Sequence, residues 1–122
     1  PELTVMAARF DLVTIDSAAT DDIAVFWSAV LDLHEIERED GDRWIVLADD
    51  EGCRRIGVQS GAPRAGSMHL DLACSPDDFE SELARIVALG ARQLGPARHE
   101  SYGSIVNLAD PDGNSFDLCA YR

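Results

Sequence analysis

Val106-Asn107-Leu108-Ala109-Asp110-Pro111-Asp112-Gly113 repeats an earlier stretch, Ile45-Val46-Leu47-Ala48-Asp49-Asp50-Glu51-Gly52, when Leu108 is set on Leu47. The offset is 61 residues. Each stretch is an apolar run closed by acidic residues and a glycine, which reads as a strand running into a turn. Further upstream, Val13-Thr14-Ile15-Asp16 sets against Leu70-Asp71-Leu72-Ala73 at an offset of 57. Both of these lead into helical patterns. Four extra residues between helix and third strand in the second half reconcile the two offsets. Similarity at a near-constant spacing signals a repeated structural unit.

The helix between Thr20 and Leu31 is marked by Ile23, Phe26, Trp27, Val30 and Leu31, which fall on one face of a 3.6-residue period. Thr20 is placed to cap it, with Asp21 and Asp22 suited to the positive end of its dipole. A second helix is expected from about Pro76 to Leu89, with Ser75 as cap, Pro76 at the first position and Gly90 as the stop. Phe79, Leu83, Ile86 and Val87 form its stripe. Strands are expected at 9–16, 33–39, 43–48, 53–59, 67–74, 91–98, 104–109 and 115–121. Each half therefore reads strand–helix–three strands.

The expected fold is α+β: two βαβββ modules forming an open, cupped mixed sheet with the helices on the outside. The chain reads as one domain, 1–122, with a first module at about 9–59, a linker at 60–66 and a second module at about 67–121. Alternation along each strand then divides the side chains between two faces. Leu70, Leu72 and Cys74 fall under the helix, and His69, Asp71 and Ala73 face the cup. Leu12 and Thr14 share the cup face on the first strand, and Asp117 and Cys119 share it on the last. Trp44 and Asn107 belong to middle strands and are candidates for the cavity wall.

Composition narrows the function. The 122 residues are 46% hydrophobic, enough for a core, and carry a formal net charge of −13. Such a surface repels nucleic acid and anionic membranes. No apolar run reaches the roughly 20 residues of a membrane-spanning helix. Pro1–Phe10 lacks a basic region followed by a long apolar stretch, so no secretory signal is read and the cytoplasm is the expected location. The chain contains no lysine, which excludes Schiff-base and lysine general-base chemistry. Cys53, Cys74 and Cys119 are odd in number and form no CxxC pair, so free thiols are expected. Ser101 and Ser104 stand in no nucleophile-elbow context.

Two βαβββ units, His69-Leu70-Asp71-Leu72 opening the second and Asp110-Pro111-Asp112-Gly113-Asn114 before the last strand, resemble the vicinal oxygen chelate superfamily. That group includes glyoxalase I, bleomycin-resistance proteins and extradiol dioxygenases, and the chain most resembles its small glyoxalase-like domain proteins. The resemblance runs from Phe10 to Cys119. It implies a metal site fed by four positions, one of them matched by His69 and one by Asp117. Subtracting the repeat offsets gives Leu12 and Ile56 for the other two. Both are aliphatic and cannot bind a metal. Asp11 and Gln59 are polar neighbours, but alternation turns them away from the cup.

With two of four expected ligand positions aliphatic, no cofactor is assigned; were a divalent metal present, His69 and Asp117 would be its ligands. The leading expectation is a small-molecule-binding protein of the glyoxalase/bleomycin-resistance type. It binds and transforms an organic ligand by acid–base chemistry without tight metal dependence. His69 is the candidate proton shuttle, Asp71 its partner, and Asp117 the base or acceptor. Leu12, Thr14, Trp44, Ile56, Asn107 and Cys119 are the candidate pocket wall. The alternatives are a metal-dependent lyase, isomerase or dioxygenase, and a non-catalytic protein that sequesters a drug or metabolite. Family resemblance also implies a homodimer. His99 and Tyr102 are candidates for a pocket rim, and an equally open reading of His69 is a satisfied polar residue kept from a metal-binding ancestor.

Overall fold

The first half folds as β1 (Val13–Ser17), α1 (Thr20–Leu31), β2 (His34–Glu39), β3 (Trp44–Ala48) and β4 (Arg54–Ser60) in a computed structural model that describes residues 10–63 and 69–122. These strands form a sheet of order β1-β4-β3-β2 in which β1 runs parallel to β4 and the other pairs are antiparallel. The second half contains β5 (Leu70–Ala73), a 3-10 turn (Pro76–Asp78), α2 (Phe79–Ala88), β6 (Arg92–Gln93), β7 (Arg98–Glu100), β8 (Gly103–Ala109) and β9 (Ser115–Tyr121). Its sheet has the order β5-β9-β8-β6, with β7 on the other end of β8. Again the first strand is parallel to the last. The expected pair of βαβββ modules is present, as two sheets. Part of the expected linker and of the fifth strand, 64–68, lies outside the described residues.

One expected strand, 91–98, is two short ones. β6 pairs with Leu108 and Ala109, while β7 pairs with Gly103, Ser104 and Ile105. Gly95 and Pro96 separate them. Proline has no N–H to give a ladder, and glycine has no side chain to pack, so the pair interrupts the strand. His99, expected in a loop, therefore lies in β7, where Nδ1 is 2.7 Å from the Ser104 hydroxyl.

The helix ends also differ from expectation. Thr20 is the first residue of α1 rather than its cap, and its buried hydroxyl donates to the Asp42 carbonyl at 2.7 Å. The Ser75 side chain makes no capping hydrogen bond to the following backbone; its hydroxyl donates to the Asp78 carboxylate at 2.9 Å. At the far end of α1, Asp32 takes a left-handed conformation with φ 55°. Aspartate tolerates that region better than most residues, which lets α1 stop without a glycine.

One core joins the halves. It contains Ile23, Phe26 and Trp27 of α1, Ile45 and Leu47 of β3, Ile56 and Val58 of β4, Ile86 of α2, Val106 and Leu108 of β8, and Phe116 and Leu118 of β9. The rings of Trp27 and Phe116 meet edge to face at 5.0 Å. Each fully buried side chain of this size contributes about 1.5–3 kcal/mol. Both sheets thus direct one face toward α1 and α2. Of their opposite faces, that of the second sheet carries Asp71, Asn107 and Asp117, and that of the first carries Thr14, Trp44 and Val46.

The repeat extends to individual hydrogen bonds. In the first turn, Asp49 Oδ1 accepts from the N–H groups of Glu51 and Cys53, while Asp49 N donates to Cys53 O and Gly52 N donates to Asp49 O. In the second, Asp110 Oδ1 accepts from Asp112 and Asn114, Asp110 N donates to Asn114 O, and Gly113 N donates to Asp110 O. Gly52 and Gly113 both have positive φ, 82° and 91°, which explains the glycine in each copy.

Candidate functional site

Strand alternation places His69, Asp71, Asp117 and Asn107 on the outward face of the second sheet. Asp71 on β5 pairs with Asp117 on β9, and Asp117 pairs with Asn107 on β8, so three neighbouring strands present these side chains in a row. His69 directly precedes β5. Its Nε2 lies 3.1 Å from Asp71 Oδ1 and 3.2 Å from Asp117 Oδ2. Asn107 Nδ2 donates to Asp117 Oδ1 at 2.6 Å. The three expected chemical residues are therefore together, and Asn107 fixes the carboxylate that His69 meets. His69 and Asp71 are open to solvent, with side chains 45% and 62% exposed, whereas Asp117 is only 14% exposed. An imidazole between two carboxylates can hold a proton for either and pass it to a bound molecule.

The other expected wall residues divide. Leu12 precedes β1 and is half-buried, Thr14 is exposed, and Trp44 is half-buried; all three fall on the outward face of the first sheet by alternation. Cys119 lies on the same face as Asp117 but is 1% exposed, so it does not line an open surface. Tyr121 follows two residues later on that face and is 55% exposed. Hydrogen bonding with the Cys119 thiol holds the Tyr121 phenol above its ordinary range, with a smaller contribution from the charge of Asp71. Tyr121 was legible from the 117, 119, 121 alternation. Its ring lies 6.3 Å from that of Tyr102.

Ile56 is a correction. It pairs with Val13 and Leu47, is 2% exposed, and belongs to the core rather than the outward face. The cause is a one-residue bulge. In the first module Leu47 pairs with Ile56 but Ala48 with Arg54, which leaves Arg55 unpaired. In the second, Leu108 pairs with Phe116 and Ala109 with Ser115 without a break. A bulge inserts one residue and reverses the faces beyond it. The position matching Asp117 is therefore Gly57, which pairs with Thr14 and Val46 as Asp117 pairs with Asp71 and Asn107. Gln59 consequently shares the outward face, where its amide is 3.4 Å from Asp16 Oδ1.

Gly57 has a local reason. A methyl group there would overlap the Trp44 ring, which covers the backbone at this point. The indole is held in place: Trp44 Nε1 donates to Glu37 Oε2 at 3.0 Å, Arg54 donates to Glu37 Oε1 at 2.9 Å, and Arg54 also meets Asp11 at 3.0 Å. Asp11 is thus committed to an ion pair. Leu12, Thr14, Val46 and Gly57 of the first module stand where the second has His69, Asp71, Asn107 and Asp117.

The family resemblance implies a divalent metal, and the second-module residues fit one. One ligand atom from each of His69, Asp71 and Asp117 lies within 4.8 Å of the others. Nitrogen and oxygen ligands at about 2.1 Å from an ion place neighbouring ligand atoms roughly 3.0–3.5 Å apart. The two separations from His69 Nε2 fall in that range. The expected pair of ligands thus gains a third in Asp71.

A separate groove runs between α1 and β2, lined by Ala24, Val25, Ala29, Arg38 and Leu47 among others. Its arginine is committed, donating to Asp21 at 2.7 Å and to Glu35 at 2.6 Å. It offers no group free for acid–base work. The His69 face is the better site because its reactive groups converge. No helix among the described residues is long and apolar enough to cross a membrane.

Comparison with known proteins supports the family resemblance. Residues 12–119 match the family model of the glyoxalase-like domain. No curated protein sequence matches the chain. Among solved structures, it is similar to a glyoxalase/bleomycin resistance protein/dioxygenase family enzyme from Burkholderia phytofirmans PsJN, with TM-score 0.76, 17% identity, and 92% of this chain and 98% of that one covered. It is also similar to the genomically encoded fosfomycin resistance protein FosX from Listeria monocytogenes, with TM-score 0.78, 18% identity and 96% of each chain covered. A further structure of that Listeria protein, complexed with Mn(II) and sulfate ion, matches with TM-score 0.75 and 17% identity over 97% of this chain and 93% of that one.

Proposed function

We propose that this chain, which belongs to the glyoxalase-like domain family, binds a small organic molecule over the β5–β9–β8 face and transforms it by acid–base chemistry. His69 is the proton shuttle, Asp71 its partner and Asp117 the base or acceptor. The observation that carries this reading is His69 Nε2 standing 3.1 and 3.2 Å from two carboxylates on a solvent-open face. Asn107 occupies one Asp117 oxygen and so directs the other toward His69. Tyr121, on the same face of β9 as Asp117, and Tyr102 next to it provide exposed aromatic surface. A divalent ion held by His69, Asp71 and Asp117 would polarise an oxygen of the ligand. Neither the fold nor the proton transfer at His69 depends on tight metal binding in this reading.

We further propose that the working unit is a homodimer. Both modules contribute to one shared core, and the His69 face of the second is left open to solvent. A second copy would set its Trp44–Gly57 face opposite. Light scattering after gel filtration tests this, with a dimer expected and a monomer at micromolar concentration against it.

The functional test is a thermal-shift screen of small organic molecules, followed by a turnover assay on each hit. Wild type is compared with His69→Ala and Asp117→Asn. A hit whose binding and turnover both fall at least tenfold in these variants supports the proposal. Equal binding and turnover in all three proteins contradicts it.

A further inference from the structure

We infer that the Trp44 indole, on the outward face of the first module, is a stacking platform for a small flat aromatic cation, such as an N-alkylated heteroaromatic ring. The inference goes beyond the acid–base chemistry at His69 and stands or falls without it.

The platform is built into the sheet. Gly57 is not one of the glycines with positive φ, so its backbone does not call for glycine. A Cβ there would nonetheless meet Cη2, Cζ3 and Cζ2 of Trp44, three adjacent atoms of the six-membered ring. The ring therefore lies over the α-carbon of Gly57, with one side toward the sheet and the other turned away from it. Its opposite end is tied down as well. Trp44 Nε1 donates to Glu37 Oε2 at 3.0 Å. Arg54 holds that carboxylate through Oε1 at 2.9 Å and is itself held by Asp11 at 3.0 Å. An indole fixed in this way needs no ordering when a ligand arrives.

Core packing does not account for this ring. Trp44 lies outside the hydrophobic core that joins the modules and stays half-buried. Trp27, the other tryptophan, is 1% exposed and packs edge to face with Phe26 and Phe116 in that core. Among the described residues no aromatic ring pairs with Trp44; the remaining ring pairs, Phe79 with His99 and Tyr102 with Tyr121, are in the second module. The side of the indole turned away from the sheet is thus left for an occupant, and a flat ring is the shape that covers it best.

Charge selects the occupant. Glu39 pairs with Trp44, Trp44 with Gln59, and Gln59 with Asp16, so these side chains share one face in a single row. Among the described residues no arginine pairs with Glu39 or Asp16. The neighbouring guanidiniums of Arg38, Arg43 and Arg54 are taken by Glu35, Asp40 and Glu37. The indole is thus flanked by two carboxylates without a counter-charge. The face of an indole is itself negative and attracts cations more strongly than the other aromatic side chains do. The net charge of −13 adds a field of the same sign. A flat cation satisfies both shape and charge, whereas a flat anion is repelled and a saturated cation cannot stack.

The test is equilibrium dialysis of the full chain against three probes: N-methylquinolinium, which is flat and cationic; naphthalene-2-sulfonate, flat and anionic; and N,N-dimethylpiperidinium, cationic and saturated. The quinolinium should bind saturably and roughly tenfold or more tighter than either of the others. Trp44→Leu should remove that advantage, and so should Gly57→Val, which displaces the ring without deleting it. Glu39→Gln and Asp16→Asn should each weaken quinolinium binding about two- to fivefold, the scale of an exposed charge contact. Asp50→Asn, an exposed acid in another turn, should leave it unchanged. Urea midpoints check that each variant is folded, and Glu39→Gln, at an exposed position, keeps the test decisive if the Trp44 or Gly57 variants do not fold. In protein labelled with 5-fluorotryptophan, the Trp44 resonance should move with quinolinium while that of buried Trp27 stays in place. Absence of saturable quinolinium binding, equal affinity for the flat anion, equal affinity in Trp44→Leu, unchanged affinity in both carboxylate variants, or a Trp44 resonance unmoved at saturation overturns the inference.

Discussion

Trp27 Nε1 donates to Asp110 Oδ2 at 3.1 Å, a buried hydrogen bond that joins the helix of one module to the turn of the other across 83 positions of sequence. Asp110 is 3% exposed, and its Oδ1 and Oδ2 also accept from the backbone of Asp112 and Asn114 and the side chain of Asn114. The carboxylate therefore organises its own turn and anchors the inter-module core. Trp27→Phe keeps most of the apolar contact and removes the donor. It should cost about 1–3 kcal/mol, the range for leaving a buried acceptor short of a partner. Urea unfolding of the variant checks this, and a change under 0.5 kcal/mol would mean the bond is incidental.

At position 57 the usual expectation for glycine in a strand is reversed. Glycine in a strand interior costs about 0.5–1 kcal/mol against alanine, so Gly→Ala would ordinarily be neutral or stabilising. Here the Trp44 ring occupies the space a side chain needs. Gly57→Val should destabilise by about 1–3 kcal/mol through overpacking. It should also free the indole from Glu37. Incorporated 5-fluorotryptophan gives two fluorine resonances, and only that of Trp44 should move toward its solvent-exposed position.

Much of the fold was legible in the sequence because its signals are local and repeated. The stripe Ile23, Phe26, Trp27, Val30 and the turn glycines Gly52 and Gly113 each carry their own physical reason. The same alternation grouped His69, Asp71 and Asp117 correctly. Counting residues failed where one residue was added silently: the Arg55 bulge left no mark in composition and turned Ile56 inward. Cys119 could be assigned to a face but not to a depth, since the side chains that cover it are set by tertiary packing. Ser75 and Thr20 have the right chemistry for caps, yet Asp78 and the Asp42 carbonyl compete successfully for their hydroxyls.

Acid sensitivity should centre partly on Glu82. Arg85 donates to Glu82 at 2.8 and 3.0 Å and, from the same guanidinium, to the carbonyls of Ala29 and Val30 at the end of α1. The hydrogen bonds from Arg85 hold the Glu82 carboxyl below its ordinary value of 4.5. A depressed folded-state value contributes stability that is present above pH 4.5 and is lost as pH falls through the lowered value. Unfolding free energy measured from pH 6 to pH 3, on the order of the range in which carboxylates titrate, should decline less steeply in Glu82→Gln than in wild type. Parallel curves would show that this ion pair is not linked to folding. The partly exposed pair limits the effect to about 1 kcal/mol or less.

The central claim is that ligand chemistry takes place at His69. It is tested most directly by nuclear magnetic resonance of 15N-histidine protein during titration with a small molecule found by thermal shift. The chain has three histidines, and two are built-in controls: His34 lies in β2 of the first sheet, and the His99 ring lies 6.2 Å from that of Phe79, a core residue of α2, rather than on the His69 face. The account predicts that the ring nitrogens of His69 shift in saturable fashion while those of His34 and His99 stay in place. Saturation of binding with His69 unmoved, and with the Val25 and Ala29 methyl groups of the α1–β2 groove shifting instead, would contradict it.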